Sequence, residues 1–125
     1  GRALGGLLLD QGFIAGVGNY LRSEILFLAG LHPARKPKSL TGDERARLIA
    51  ATRCMIERAY RLKGMTNDPQ RAQHLKTQGK RFSERRHMVF GRAGQGCYDC
   101  GAGIEKSTVA SRRLYRCPHC QPAPS

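Results

Sequence analysis

The chain of 125 residues carries 22 Lys and Arg against 9 Asp and Glu, a formal charge of +13, with 40% hydrophobic residues and no Trp. That excess excludes an electrically neutral surface and points to a polyanionic partner, nucleic acid ahead of an anionic membrane. No apolar run approaches the roughly 18 residues of a membrane span, and GRALGGLLLDQ lacks the basic region and small-residue cleavage site of a signal peptide, so the expectation is a soluble, intracellular protein with no membrane partner.

In chain order, residues 3–31 read as helical and broken by glycine. LGGLLLDQ is a short apolar segment, and GFIAGVGN sets Gly12, Gly16 and Gly18 into a tight turn before Asn19. YLRSEILFLAG then puts Leu21, Ile25 and Leu28 on one helix face, with Gly30 as the stop and Pro33 just beyond. Backbone N–H groups at such a helix start attract anions, and Asn19 suits either an N-cap or a phosphate donor. Plain helix punctuation is the alternative for this turn. Glu24, close to it, reads as a helix-surface or buried ion-pair residue.

LHPARKPKSL is a Pro-rich connector. Thr41 followed by Glu44 forms a capping box, and the helix behind it carries Leu48, Ile49, Thr52, Met55, Ile56, Ala59 and Leu62 on one stripe, closed by Gly64. Cys54 beside that stripe reads as a buried thiol. From Gly64 to Gly96 the periodicity fails, and the expectation is a flexible basic loop with a short strand around MVF. His32, His74 and His87 show no ligand-like spacing. Residues 63–116 hold twelve Lys or Arg and four acids, a local excess of +8.

The segment CYDCGAGIEKSTVASRRLYRCPHC supplies two Cys-x-x-Cys pairs, Cys97 with Cys100 and Cys117 with Cys120, separated by sixteen residues. Four thiolates at this spacing predict one structural zinc ion with no open coordination position. IEKST and RLYR fit the two strands of a hairpin with its tip near Val109–Arg112. The hairpin would carry Arg112 and Arg113 at its tip and Arg116 at its base, where guanidinium forks suit phosphates. For each arginine taken singly the alternative is a solvated charge. The whole predicts a mainly α fold with a small β-hairpin zinc finger. Residues 1–64 form a helical bundle, helix–turn–helix in outline, 65–94 a basic connecting segment, 95–121 the four-cysteine zinc ribbon and 122–125 a tail.

These two elements, in this order, resemble a known family. LLLDQGFIAGVGNYLRSEILFLAGLHP is similar to the helix–two-turn–helix segment of the formamidopyrimidine-DNA glycosylase and endonuclease VIII family, and the paired cysteines with SRRLYRCPHC are similar to its C-terminal zinc finger. GNYLRSE looks more like the endonuclease VIII branch. The resemblance implies a bifunctional DNA glycosylase and AP lyase of base excision repair. Such enzymes flip an oxidised base from the duplex, attack the sugar with an N-terminal proline amine beside a glutamate, and nick the abasic site by elimination. It implies that Asn19 and Arg112 grip phosphates and that Cys97, Cys100, Cys117 and Cys120 hold zinc. Its partners would be double-stranded DNA with damaged or abasic sites and the catalytic N-terminal domain of the same parent. Its place would be the bacterial cytoplasm, on the nucleoid. The chain opens Gly1-Arg2-Ala3 in place of the family's Pro-Glu, so it reads as the DNA-binding half of a longer protein, with no catalytic residue of its own. A free-standing zinc-ribbon module that binds nucleic acid is the competing reading.

Overall fold

The computed structural model describes residues 3–9 and 18–124, and the side chains of residues 7–9, 18 and 19 are outside that description. The Gly16 turn therefore lies outside the described residues, as do the side chains at Gly18 and Asn19.

A short helix α1 (Leu4–Leu9) precedes helix α2 (Gly18–Ala29), a 3-10 turn (Pro37–Ser39) and the long helix α3 (Gly42–Arg61). Helices α4 (Pro69–Thr77) and α5 (Phe82–Arg85) follow, and the chain ends in the antiparallel hairpin of β1 (Glu105–Val109) and β2 (Arg112–Arg116). Helix α3 begins as its sequence dictates. The Thr41 hydroxyl accepts from the Glu44 amide at 3.1 Å, and Glu44 returns the bond to the Thr41 amide at 2.9 Å. Arg35 forks onto the same carboxylate at 2.8 and 3.0 Å and holds its pKa down at about 2. Among the described residues no helix is long and apolar enough to cross a membrane.

The axis of the molecule is α2, and it differs from the one-faced amphipathic helix expected. Residues 21–27 are buried without a break, while Leu28, assigned to the core face, is 41% exposed. Helix α3, the hairpin and α1 all pack against α2, so neighbours surround it and a single apolar stripe is no longer required. On α3, Met55 and the unpredicted Ala51 reach the core, whereas Ile49 stays 55% exposed. Cys54 is half-buried, with a guanidinium nitrogen of Arg58 at 3.5 Å from its sulfur.

The expected loop between Gly64 and Gly96 holds two helices, α4 and α5, joined and followed by turns. Asp68 caps α4 by accepting from the Arg71 amide at 3.0 Å, with Pro69 in the first turn, where its missing N–H costs nothing. The MVF run makes no strand; residues 88–90 form a turn, packed against α2 through buried Met88 and Val89. One core then draws on Leu4, Ile25, Met55, Val89, Ile104, Leu114 and Cys117 together.

The hairpin has the expected strands, in the register Glu105↔Arg116 to Val109↔Arg112. Its turn is Ala110-Ser111, both left-handed at φ 54° and 64°. Two positive φ angles define a type I′ turn, which prefers Asn-Gly. Side chains bearing Cβ are strained there. The double substitution Ala110→Asn with Ser111→Gly is therefore expected to stabilise the fold by about 1 kcal/mol, seen as a rise of roughly 4 °C in Tm by calorimetry. Gly5 marks a different constraint. A Cβ there would come within 2.9 Å of Val109 and 3.0 Å of Pro33, so α1 packs against the hairpin tip only because the side chain is absent.

Candidate nucleic-acid interface and metal centre

The two Cys-x-x-Cys turns bring their sulfurs to one point. Cys97 and Cys120 stand 3.9 Å apart, Cys100 and Cys117 3.4 Å, and all four lie within 4.8 Å of one another. A tetrahedron with metal–sulfur bonds of about 2.3 Å has edges of about 3.8 Å, so the cluster is positioned to bind a metal ion. Backbone amides of Asp99 and Cys120 point at the sulfurs of Cys97 and Cys117, at 3.4 and 3.3 Å, and favour thiolates. Gly101 turns the first knuckle back at φ 83°. Burial and the neighbouring thiols raise the Cys120 pKa; a bound cation reverses that balance. His119, between the last two ligands, is exposed.

Three consecutive polar residues in the buried stretch of α2, Arg22, Ser23 and Glu24, are each 0% exposed. Each holds a different part of the chain. Arg22 donates to the carbonyls of Gly5 at 2.8 Å, Val109 at 2.6 Å and Arg112 at 2.8 Å, tying α1 and both ends of the hairpin turn to α2. The Ser23 hydroxyl accepts from the Tyr115 amide at 3.1 Å. Glu24 accepts from the amides of Met88 at 2.6 Å, Val89 at 2.8 Å and Phe90 at 3.2 Å, and from the Thr66 hydroxyl at 2.5 Å. At the other end of the finger, Gln121 accepts from the Cys117 amide and donates to the Leu31 carbonyl at 3.0 Å. The cysteine cluster is thereby fastened to the end of α2 and the hairpin tip to its first turns.

Sequence reasoning left Glu24 as a helix-surface or buried ion-pair residue. It is a buried acceptor of four hydrogen bonds, with Nδ1 of His87 3.9 Å away. Burial drives the Glu24 carboxyl upward, and its four donors pull it back. The same Thr66 hydroxyl stands 2.7 Å from Nδ1 of His87, so it links the Glu24 carboxyl to the imidazole. His87 is buried, and desolvation, reinforced by Arg86, lowers its pKa to about 3. Arg22 and Gln121 were missed altogether. The signal was present in one feature, an Arg-Ser-Glu triplet inside an otherwise apolar helix.

The basic excess also divides. Arg92 is buried, donates to the Met88 and Gly96 carbonyls at 2.6 and 2.7 Å, and stacks 3.8 Å from the Tyr98 ring centre. Arg71 lies over the same ring at 4.6 Å. These cations are structural. Arg112 and Arg113 are exposed at the hairpin tip, with Arg113 5.7 Å from the Phe90 ring, and half-buried Arg116 pairs with Glu105 at 3.0 Å. Of the expected phosphate ligands, then, Arg112 and Arg113 are both exposed, at consecutive positions of β2. The Asn19 backbone stands in the first turn of α2, three residues from the Arg22 that grips the tip. Arg22→Met, close in volume but without donors, is expected to destabilise by about 3 kcal/mol because it orphans buried carbonyls. Faster amide exchange around the hairpin turn than in α3 would show that the loss is local to the tip.

Comparison with known proteins follows the same two elements. Residues 1–70, more than half of the chain, match the formamidopyrimidine-DNA glycosylase H2TH domain. The chain belongs to the formamidopyrimidine-DNA glycosylase and endonuclease VIII family. It is 42% identical over 120 residues to endonuclease 8 of Klebsiella pneumoniae and, equally, of Salmonella arizonae, alignments covering 96% of this chain and 42% of each relative. It thus spans well under half the length of these relatives. The MutM (Fpg) protein of Thermus thermophilus superposes with a TM-score of 0.76 at 39% identity, over 99% of this chain and 46% of that one. A complex of Lactococcus lactis Fpg with DNA containing an abasic site superposes with a TM-score of 0.75 at 28% identity, over 98% and 43%. The mainly α fold with a four-cysteine finger is that of the family's C-terminal part.

Proposed function

We propose that this chain is the DNA-binding half of an endonuclease VIII-type DNA glycosylase and AP lyase, which excises oxidised bases and nicks the resulting abasic site. The observation that carries the reading is the Arg22 tie. A buried guanidinium fixes the turn bearing Arg112 and Arg113 to the first turns of the helix that starts at Gly18-Asn19. Two kinds of phosphate donor, a helix start and a guanidinium pair, are then held in one rigid frame, which suits a sugar-phosphate backbone. Asn19, Gly16 and Gly18 would contact phosphates from the helix side, Arg112 and Arg113 from the finger side. Cys97, Cys100, Cys117 and Cys120 would hold one zinc ion, whose chemistry here is structural: it supplies cross-linking energy to a hairpin too small to fold unaided.

No Pro-Glu pair occurs among these residues, so the family's sugar attack would fall to a catalytic domain of the same parent protein, and this half would seat damaged or abasic duplex against it. The reading would place its action on the nucleoid of a bacterial cytoplasm. Arg112→Ala tests the reading. Affinity for a duplex with an abasic analogue should fall by about tenfold, and the salt slope by about 0.9, with metal content retained. Unchanged affinity in dilute buffer would sink the assignment and favour a zinc ribbon binding nucleic acid elsewhere.

A further inference from the structure

We infer that the surface from Tyr60 through Tyr20 to Phe82 is a second nucleic-acid platform, built for an unpaired run of single-stranded DNA. This deepens the reading above and rests on it for the polymer bound.

Phe82 and Tyr60 remain 44% and 89% exposed. Neither contributes to the core. The Phe82 ring has the guanidinium carbons of Arg85 at 5.6 Å and Arg86 at 5.7 Å. Arg86 also lies 5.0 Å from the Tyr20 ring, and its Nε donates to the Gly64 carbonyl at 3.0 Å, so it is fixed between the two aromatics. On its other side Tyr20 lines a groove of about 400 Å³ with Ile56, Tyr60 and Lys63. The surface therefore alternates aromatic and cationic groups from Tyr60 to Phe82. The one acid in this stretch of α5, Glu84, is occupied by Arg81, whose Nε lies at 3.3 Å.

Apolar rings between fixed cations match one polymer chemistry: bases stacked on rings with phosphates beside them. A paired duplex hides its base faces within the stack; only unpaired nucleotides present them. The charge complementarity selects a polyanion. The position selects DNA next to the clamp, since Tyr20 sits in the first turn of α2, directly after Asn19.

The chain contains no Trp, so Phe82→Trp introduces a single fluorophore on the platform. Titration with a short oligothymidylate at low salt should quench its emission to saturation. Phe82→Ala and Tyr60→Ala should each lower the ratio of oligothymidylate to paired-duplex affinity by about tenfold. Both side chains are exposed, so folding should survive, which circular dichroism would verify. The inference is overturned if Trp emission stays constant while anisotropy shows the oligothymidylate bound, or if the alanine variants move the ratio by less than about twofold. Failure of the clamp reading would look different: Arg112→Ala would hold paired duplex as well as the parent does, while the Phe82→Trp signal still responded.

Discussion

Cys117→Ser is expected to abolish stoichiometric metal binding and to destabilise the chain by on the order of 5 kcal/mol, comparable to the whole stability of a small domain. The cause is twofold. Serine offers no thiolate, and the remaining three sulfurs, crowded within 4.8 Å, lose the cation that makes their ionisation tolerable. Cys117 is also 0% exposed and packs in the same cluster as Leu114, Tyr115 and Ile25, so the damage enters the shared core. Cys100, at the exposed rim, should be the milder site. Metal content by mass spectrometry and a thermal melt read both effects. One ion per chain with an unchanged Tm would remove Cys117 from the ligand set. Chelation of the parent chain should reproduce the loss, first in the hairpin and then along α2, because Gln121 and Arg22 join those two elements.

The second large effect is a loss of stability in mild acid that originates at His87. Its ordinary pKa is 6.5, and in the folded chain burial holds it at about 3. Below pH 6.5 the unfolded chain therefore takes up a proton that the folded chain refuses, so acid favours unfolding. The contribution is complete above pH 6.5 and is lost as pH falls toward 3, with a slope of up to about 1.4 kcal/mol per pH unit. Glu24, raised by burial, has the opposite sign: it favours the fold at low pH and opposes it as pH rises through its own pKa. The parent and a His87→Phe variant should be compared by denaturant unfolding between pH 7 and pH 4.5. Phenylalanine suits the packing against Tyr20 and Phe90, whose rings lie 4.8 and 5.6 Å from that of His87. The variant should lose the His87 part of the slope. Parallel curves would mean that His87 protonates freely in the folded state.

Much of the site was legible in the chain itself because it depends on local chemistry. Two Cys-x-x-Cys pairs at that spacing have few other uses, and the strands between them lie within one residue of where alternation placed them. The Thr41–Glu44 box likewise formed as written, since it needs only a four-residue stretch of chain. Helices α4 and α5 were not legible. Their apolar residues are few, and α4 is held mainly by its Asp68 cap, by Ala72 in contact with the body, and by Arg71 reaching Tyr98 across the fold.

By itself, the sequence determined a basic, cysteine-clasped, mainly helical protein of this family, because charge balance, ligand spacing and capping are set by residues close in the chain. Only the tertiary structure decided which charges face outward and what the polar triplet of α2 does. Arg92 and Arg22 look the same as Arg112 in a count of cations, yet they lie inside, each bonded to backbone carbonyls. Arg92 bonds to carbonyls only four residues to either side, but the burial of Arg22 depends on carbonyls 87 and 90 residues away. No local pattern carries that information. Packing of the hairpin, the 88–90 turn and α1 around one helix creates it.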